Sequence, residues 1–406
     1  MNRGRDDRPA AVIVGGGPGR DYPTVRSLNE HGIKTIYART DTKSPVPASR
    51  FCDETAPLPS PTENLPAFRD ALLELAARPA VATIVPTRED SVYVLSKHHD
   101  RFAPHVSLVV PPFETLRRAH DRVRLAEAAT EAGVPVPETT PLGAVEDWNR
   151  PSILKSRYNI LTPDYVADFP PTEVAMVKSV RHLDPGERPD VTEIRREMRH
   201  DPIVQEYVPT DGEFMFAGLY DHGTPLATFQ HRQVRGDSYL GGGGVYRTSV
   251  YIDELQTVAD RLLSELNWHG IACIEYMRHA ETGEFVLTEI NPRTWQSLST
   301  AVRAGADFPH DYWLAAMGEP ERIDPTYKLG VGTHSLYGEF EYVHSLFHDR
   351  SPHTERPPIA PQLWAVLTSL YDEPAFDYTR LDDPGPLVDS VGFVLCNLLR
   401  RGTESE

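Results

Sequence analysis

Residues 274–293 read IEYMRHAETGEFVLTEINPR, and four side chains in this stretch have the types and spacing of a phosphate-handling metal site. A turn centred on Thr282 makes the runs ACIEYM and EFVLTEIN antiparallel, so residues whose numbers sum to about 564 stand opposite each other. Glu275 then faces Glu289 directly. By the two-residue period of a strand, Asn291 shares their face, while Ile274, Val286 and Ile290 point into a core. Like charges opposed at roughly 5 Å destabilise a sheet unless a cation compensates them. Two carboxylates and an amide oxygen are hard ligands that suit Mg²⁺, or Mn²⁺ in its place, with waters and a nucleotide's phosphates completing the shell. Arg293, two residues on, is spaced to bind phosphoryl oxygens. The plain alternative is a surface hairpin with two solvated glutamates; register, shared face and the following Pro292-Arg293 argue for the metal.

The elements around this ribbon change character along the chain. AVIV (11–14), the turn GGGPG, TVRSLNEHG and IKTIYAR read as strand, glycine turn, helix and strand. LPAFRDALLELAAR, VATIVP, EDSVYVLSKHHDRF and SLVV continue the alternation, which implies a parallel sheet with helices on both faces, closing near residue 112. After the helix of DRVRLAEAATEAGVPVPET come longer strands: IVQEYV, then EFMFAGLY and TPLATFQHRQVR as antiparallel ribbon. Asp253 and Gln256 form a capping box opening a helix with Leu255, Ala259, Leu262 and Leu266 on one face. Beyond about residue 320 the chain is proline-rich, with helical GEFEYVHSLFHD and apolar LVDSVGFVLCNLLRR, and carries no assignable chemistry.

A length of 406 residues predicts two or three lobes rather than one core. With 41 Lys+Arg against 59 Asp+Glu the formal charge is -18, which argues against general binding to nucleic acid or anionic membrane. Only six lysines occur, so the positive charge is mostly arginine, and an acidic, lysine-poor surface suggests a salt-adapted, halophilic cytosol. Cys52, Cys273 and Cys396 are far apart and odd in number, which fits a reducing cytoplasm and no disulfide framework. The charged start MNRGRDDRPA lacks an apolar signal region, and no run approaches a membrane span of roughly 20 residues.

The stretch IEYMRHAETGEFVLTEINPR resembles the ATP-grasp superfamily, in particular the carbamoyl-phosphate-synthase-like and D-aspartate-ligase-like carboxylate-amine ligases. The resemblance covers roughly residues 10–320. It implies a Rossmann-like pre-ATP-grasp domain at 1–118, a two-lobed ATP-grasp fold with a small lobe at 119–202 and a large lobe at 203–320, and a C-terminal extension at 321–406. It also implies Mg²⁺ at Glu275, Glu289 and Asn291 and phosphates or substrate at Arg293. IVQEYVP resembles the hinge between the lobes, where the backbone of Glu206, Tyr207 and Val208 would read adenine and Glu213 would hold ribose hydroxyls. SILKS resembles the strand with an ATP-phosphate lysine, here Lys155, and AMVKSV offers Lys178. HRQVRGDSYLGGGGVYRT resembles the segment lining the acceptor and γ-phosphate, with Arg232 and Arg235 before four glycines. Two departures stand out: Arg122 replaces the usual lysine of the DK helix, and RYNILTPDYVADFPPTE has no glycine where a phosphate-covering loop is usual.

In the first lobe, AVIVGGGPGR invites a dinucleotide reading, but Arg20 stands where G-x-G-x-x-G needs its third glycine, and Asp41 comes late for a ribose acid. IVPTRED resembles the family's PT-x-(D/E) turn, with Glu89 and Asp90 as second-substrate or helix-capping residues. His98, His99 and Asp100 diverge around a helix end and make no metal site. The expected activity is ATP-dependent amide-bond formation between a small carboxylate and an amine; the alternatives are a catalytically silent nucleotide-binding regulator and an NAD(P)-dependent oxidoreductase. Oligomeric state stays open, a homodimer included.

Overall fold

The computed structural model describes residues 8–40, 43–177, 179–350 and 354–390; Asp41, Lys178 and Cys396 lie outside them. The first lobe runs β1 (Ala10–Val14), α1 (Pro18–Glu30), β2 (Lys34–Arg39), β3 (Glu54–Pro57), α2 (Leu65–Ala76), β4 (Val81–Pro86), α3 (Glu89–Lys97), α4 (His99–Phe102) and α5 (Phe113–His120). Its strands form a parallel sheet in the order β3-β2-β1-β4. SLVV joins this sheet only through an isolated bridge from Ser107 to Thr83. Pro111 and Pro112 follow at once and lack the N–H groups a longer ladder needs.

The chain continues through α6 (Arg122–Glu131) into a small antiparallel sheet made of β5 (Thr139–Pro141), β6 (Ser152–Lys155), β7 (Val180–Leu183) and, after α7 (Val191–Met198), β8 (Ile203–Glu206). The order is β5-β8-β6-β7, packed on α7 through Leu154, Ile194, Met198 and Val204. Next come β9 (Thr210–Asp221), β10 (Thr224–Ser238), β11 (Gly241–Val250), α8 (Asp253–Glu265), β12 (Gly270–His279) and β13 (Phe285–Asn291). With β14 (Gly332–His334), reached through α9 (Leu298–Ala304) and α10 (Phe308–Ala316), they form a six-stranded sheet ordered β13-β12-β9-β10-β11-β14. The helices α11 (Leu336–His348) and α12 (Ile359–Asp372) follow. The chain beyond residue 320 thus completes the edge of the large sheet.

The two faces of the large sheet have different partners. One carries Phe216, Tyr220, Ile274 and Ile290 against α6 and α8 through Leu125, Leu262 and Leu263. The other shares a core with the first lobe, where Ile13, Tyr22 and Val25 pack with Ala217, Phe229, Leu298 and Tyr312. Each large apolar side chain buried this way contributes about 1.5–3 kcal/mol, enough to lock the two sheets together. At Gly270, with φ +97°, a Cβ would lie 2.4 Å from the Val109 carbonyl oxygen, so the close approach of lobe to strand requires glycine. The helix α8 is not opened by a capping box: Ile252 is its cap, with its N–H donated to Gln230 Oε1 at 2.8 Å. Gln256 is instead bonded to Thr228, Gln230 and Asp260. Among the described residues no helix is long and apolar enough to cross a membrane.

Candidate active site

The β12–β13 ribbon sets Glu275 opposite Glu289 and Cys273 opposite Asn291, so the two glutamates and the amide share one face. The register is not uniform. Near the turn the pairs are Arg278–Phe285, Met277–Val286 and Tyr276–Leu287, and a bulge at Thr288 shifts the count by one before Glu275 meets Glu289. Thr288 Oγ1 donates to the Glu275 carbonyl oxygen at 2.9 Å and fills the irregularity. The bulge reverses the alternation expected toward the turn: Phe285 and Leu287 join Ile274 and Ile290 in the core against α6 and α8, while Val286, also buried, turns to the other face.

The charges around the pair are asymmetric. Arg122 Nη2 holds Glu289 Oε2 at 2.6 Å while its Nη1 donates to the Ser156 carbonyl oxygen at 3.1 Å. Burial alone would raise the Glu289 carboxyl, but Arg122 and then Lys155 outweigh it and hold it below the ordinary range. Lys155, at the end of β6, is pushed down to about 8 by burial and by Arg122, with Glu289 and Glu275 opposing. Glu275 reaches the water of the cleft, yet surrounding protein and the facing Glu289 carry its carboxyl well above the ordinary glutamate range. Among the described residues Glu275 makes no ion pair. An opposed carboxylate without its own cation, an amide oxygen beside it and one arginine-held carboxylate fit a single hard divalent ion.

Arg293 ties this face to the first lobe. Its Nη2 donates to Asn291 Oδ1 at 3.0 Å, and its Nε lies 2.7 Å from Glu89 Oε1. Glu89 also meets His120 Nε2 at 3.1 Å; burial works against its charge, but Arg293 and His120 keep it ionised. Asp90 instead pairs with Arg88 at 2.9 Å, so of the two acids in IVPTRED only Glu89 faces the site. The glycine turn is closed off: Gly16 and Gly17 N–H donate to Asp21 Oδ2 at 2.8 and 2.7 Å. That carboxylate takes the N–H groups a pyrophosphate would need, which removes the basis for the dinucleotide reading. The expected solvated end holds for His99 and Asp100, which are exposed.

A cleft of about 320 Å³ opens on the glutamate face, lined by Glu213, Gln233, Gly242, Gly244, Arg247 and Glu275 among others. Glu213 accepts a hydrogen bond from Gln233 Nε2. Residues 207–209 join β8 of the small sheet to β9 of the large one, which makes this the hinge between the sheets. There Glu206 N–H bonds to the Glu138 carbonyl oxygen at 3.0 Å and Tyr207 N–H to that of Pro151 at 3.2 Å.

Solved structures share this fold over most of the chain. The L-amino acid ligase from Bacillus licheniformis aligns with a TM-score of 0.60 at 14% identity, covering 81% of this chain and 80% of that one. The N5-carboxyaminoimidazole synthetase from Staphylococcus aureus gives 0.56 at 14% identity, with 80% of each chain covered. Carboxyaminoimidazole ribonucleotide synthase from Aspergillus clavatus, complexed with ATP, gives 0.58 at 15% identity, with 81% of each covered. The chain has the ATP-grasp fold. No family model matches the sequence, and no curated protein matches it.

Two arginines expected in the ATP-grasp cleft lie elsewhere. Arg232 is exposed and alternates with His231 and Gln233, which line the cleft, so it points from the other face of β10. Arg235 is buried after a register shift in β10, with Nη1 on Glu339 Oε1 and Oε2 at 2.6 and 2.7 Å and Nη2 on Ser369 at 3.1 Å. It fastens α11 and α12 to the sheet. The cation that lines the cleft is Arg247, 1% exposed and paired with Asp377 at 2.8 Å. Its signal in the sequence is the alternation of Val245, Arg247 and Ser249, all buried on one face of β11. Arg20, half-buried near Arg293 and lowered to about 10 first by burial and then by that neighbour, is a second cation close to the site.

Proposed function

We propose that the chain is an ATP-dependent carbon–nitrogen ligase that joins a small carboxylate to an amine through an acylphosphate. The observation that carries this reading is the opposed pair Glu275 and Glu289 with Asn291, with Arg122 on Glu289, Arg293 on Asn291, Lys155 near both carboxylates, and Glu275 lining the cleft. Glu275, Glu289 and Asn291 would hold Mg²⁺, which supplies charge neutralisation between a nucleotide's phosphates. Lys155 and Arg122 approach the same side and bind phosphoryl oxygens, and the hinge 206–208 with Glu213 takes adenine and ribose. Arg293, oriented by Asn291 and Glu89, holds the acceptor carboxylate. That carboxylate attacks the γ-phosphorus, the bond to ADP breaks, and the amine then attacks the acyl carbon; phosphate leaves with the C–O bond pair and the nitrogen loses a proton. The residues supply position and charge, so no nucleophilic side chain is needed. Among the structural neighbours, the L-amino acid ligase and the carboxyaminoimidazole synthases carry names of this reaction class.

Glu289→Gln is expected to lower amine-dependent ADP release by at least about 100-fold with an unchanged circular dichroism spectrum. Full activity in that variant rejects the metal assignment. The second reading, a nucleotide binder without turnover, draws on the Arg122–Glu289 ion pair and the glycine-free segment after Lys155. Mg-ATP that raises Tm with no ADP formed across acid and amine pairs at high salt would favour it.

A further inference from the structure

A separate group of ligand-type side chains lies at the far end of α1 from the glycine turn. His31 caps that end, and Asp307 and His310 open α10; each offers one ligand atom, and these atoms all lie within 4.8 Å of one another. His31 Nε2 is 3.0 Å from Asp307 Oδ2, close to the edge of roughly 3.3 Å in a tetrahedron with metal–ligand bonds of about 2.05 Å. Asp307, His310 and Asp311 are three and four residues apart and share one face of α10. Asp311 is 4% exposed, and its Oδ2 has no hydrogen-bond partner among the described residues.

We propose that His31, Asp307 and His310, with the buried carboxyl of Asp311 on the same face of α10, form a site for a divalent transition metal of the zinc class. Two imidazole nitrogens with a carboxylate select Zn²⁺ or Co²⁺ over Mg²⁺. The rings of His31 and His310 stack at 3.5 Å with planes 3° apart. Two parallel planes at that spacing cannot both contain one ion, so His310 turns about its Cβ–Cγ bond as the ion enters. The bound ion staples α1 of the first lobe to α10. This site stands apart from the nucleotide reading and does not depend on it. Asp221, His222 and His269 have comparable spacing, but they are the more open group and include no buried, unpartnered donor. They serve as the control.

The test uses Co²⁺ with the full chain, stripped by chelator and then held in saturating Mg²⁺. The expected result is one equivalent of Co²⁺ per chain, the intense visible absorption of a tetrahedral centre and a raised Tm. His310→Ala and His31→Ala, both at partly exposed positions, should each weaken the affinity about tenfold or more and abolish the absorption, with the cobalt-free Tm unchanged. His269→Ala should leave both intact. Absence of the absorption in the natural chain, its persistence in both α1–α10 variants, or its loss in His269→Ala overturns the site.

Discussion

Residues 156–177 run beside β13, the tip of the β10–β11 ribbon borders the cleft, and the two are made of opposite materials. The first segment has no glycine and is pinned to the first lobe: Arg157 pairs with Asp121 at 2.6 Å, Lys97 and Tyr93 hold Asp164, His120 meets Tyr165 at 3.0 Å, and Ile160 and Val174 sit in the first lobe's core. Asn159 donates to the Ile290 carbonyl oxygen at 3.0 Å and extends the attachment to β13. The ribbon tip has Gly241 and Gly242 at φ +113° and places Gly242, Gly243 and Gly244 along the cleft. A chain that needs N–H groups close to an anion finds them only where side chains are absent. The segment after Lys155, which family resemblance casts as the phosphate cover, is fastened to the first lobe, whereas the glycines lie along the cleft.

The comparison can be broken most severely at Arg247, which backs the ribbon. Arg247→Met leaves Asp377 buried without its partner and should cost about 3–5 kcal/mol in denaturant unfolding; a loss below about 1 kcal/mol would show that the ribbon is not braced through β11. Gly244→Val comes next, because its Cβ would stand 2.5 Å from Gln233 Oε1 and 3.1 Å from Arg247 Nε. ADP release should fall on the order of 100-fold, whereas a glycine-to-valine change with normal turnover moves the phosphate contact away from this ribbon. A smaller effect sharpens the fastened side: the Lys155 amine, held near 8, is charged below that pH and neutral above it. Apparent ATP affinity should therefore drop about fivefold from pH 8 to 9, and Lys155→Arg, always charged, should lack that decline. Smallest is Asp164→Ala, expected to cost about 1–2 kcal/mol in stability with KM for ATP unchanged within about twofold. A large KM change there would turn the fastened segment back into a moving cover.

The parallel first sheet, the antiparallel character of the rest and the facing of Glu275 and Glu289 were legible because hydrophobic period and turn position fix them locally. The Thr288 bulge was not, since nothing local in FVLTEIN distinguishes an extra residue from a regular one; only the core's demand for Phe285 and Leu287 does. Arg235 shows the other limit. Its type and its place before four glycines suggested phosphate, but its partner is Glu339, which lies 104 positions away and reaches it only through the path of α11. Arg122 looked like a lost lysine in the sequence, whereas in the fold its longer fork spans from Glu289 to the Ser156 carbonyl. Glu89 was visible as a turn acid, but its ties to Arg293 and His120 needed the docking of two lobes.

The odd residue in β13 splits that strand into two stretches of opposite parity. On the turn side, odd positions face α6 and α8; past Thr288, even ones do. Anyone redesigning the ribbon must swap the apolar and polar choices at that point, and deleting Thr288 would leave an even ladder in which the glutamates still oppose each other. Whatever such a shortened protein lost would measure what the kink contributes to the aim of the carboxylates, separately from their pairing.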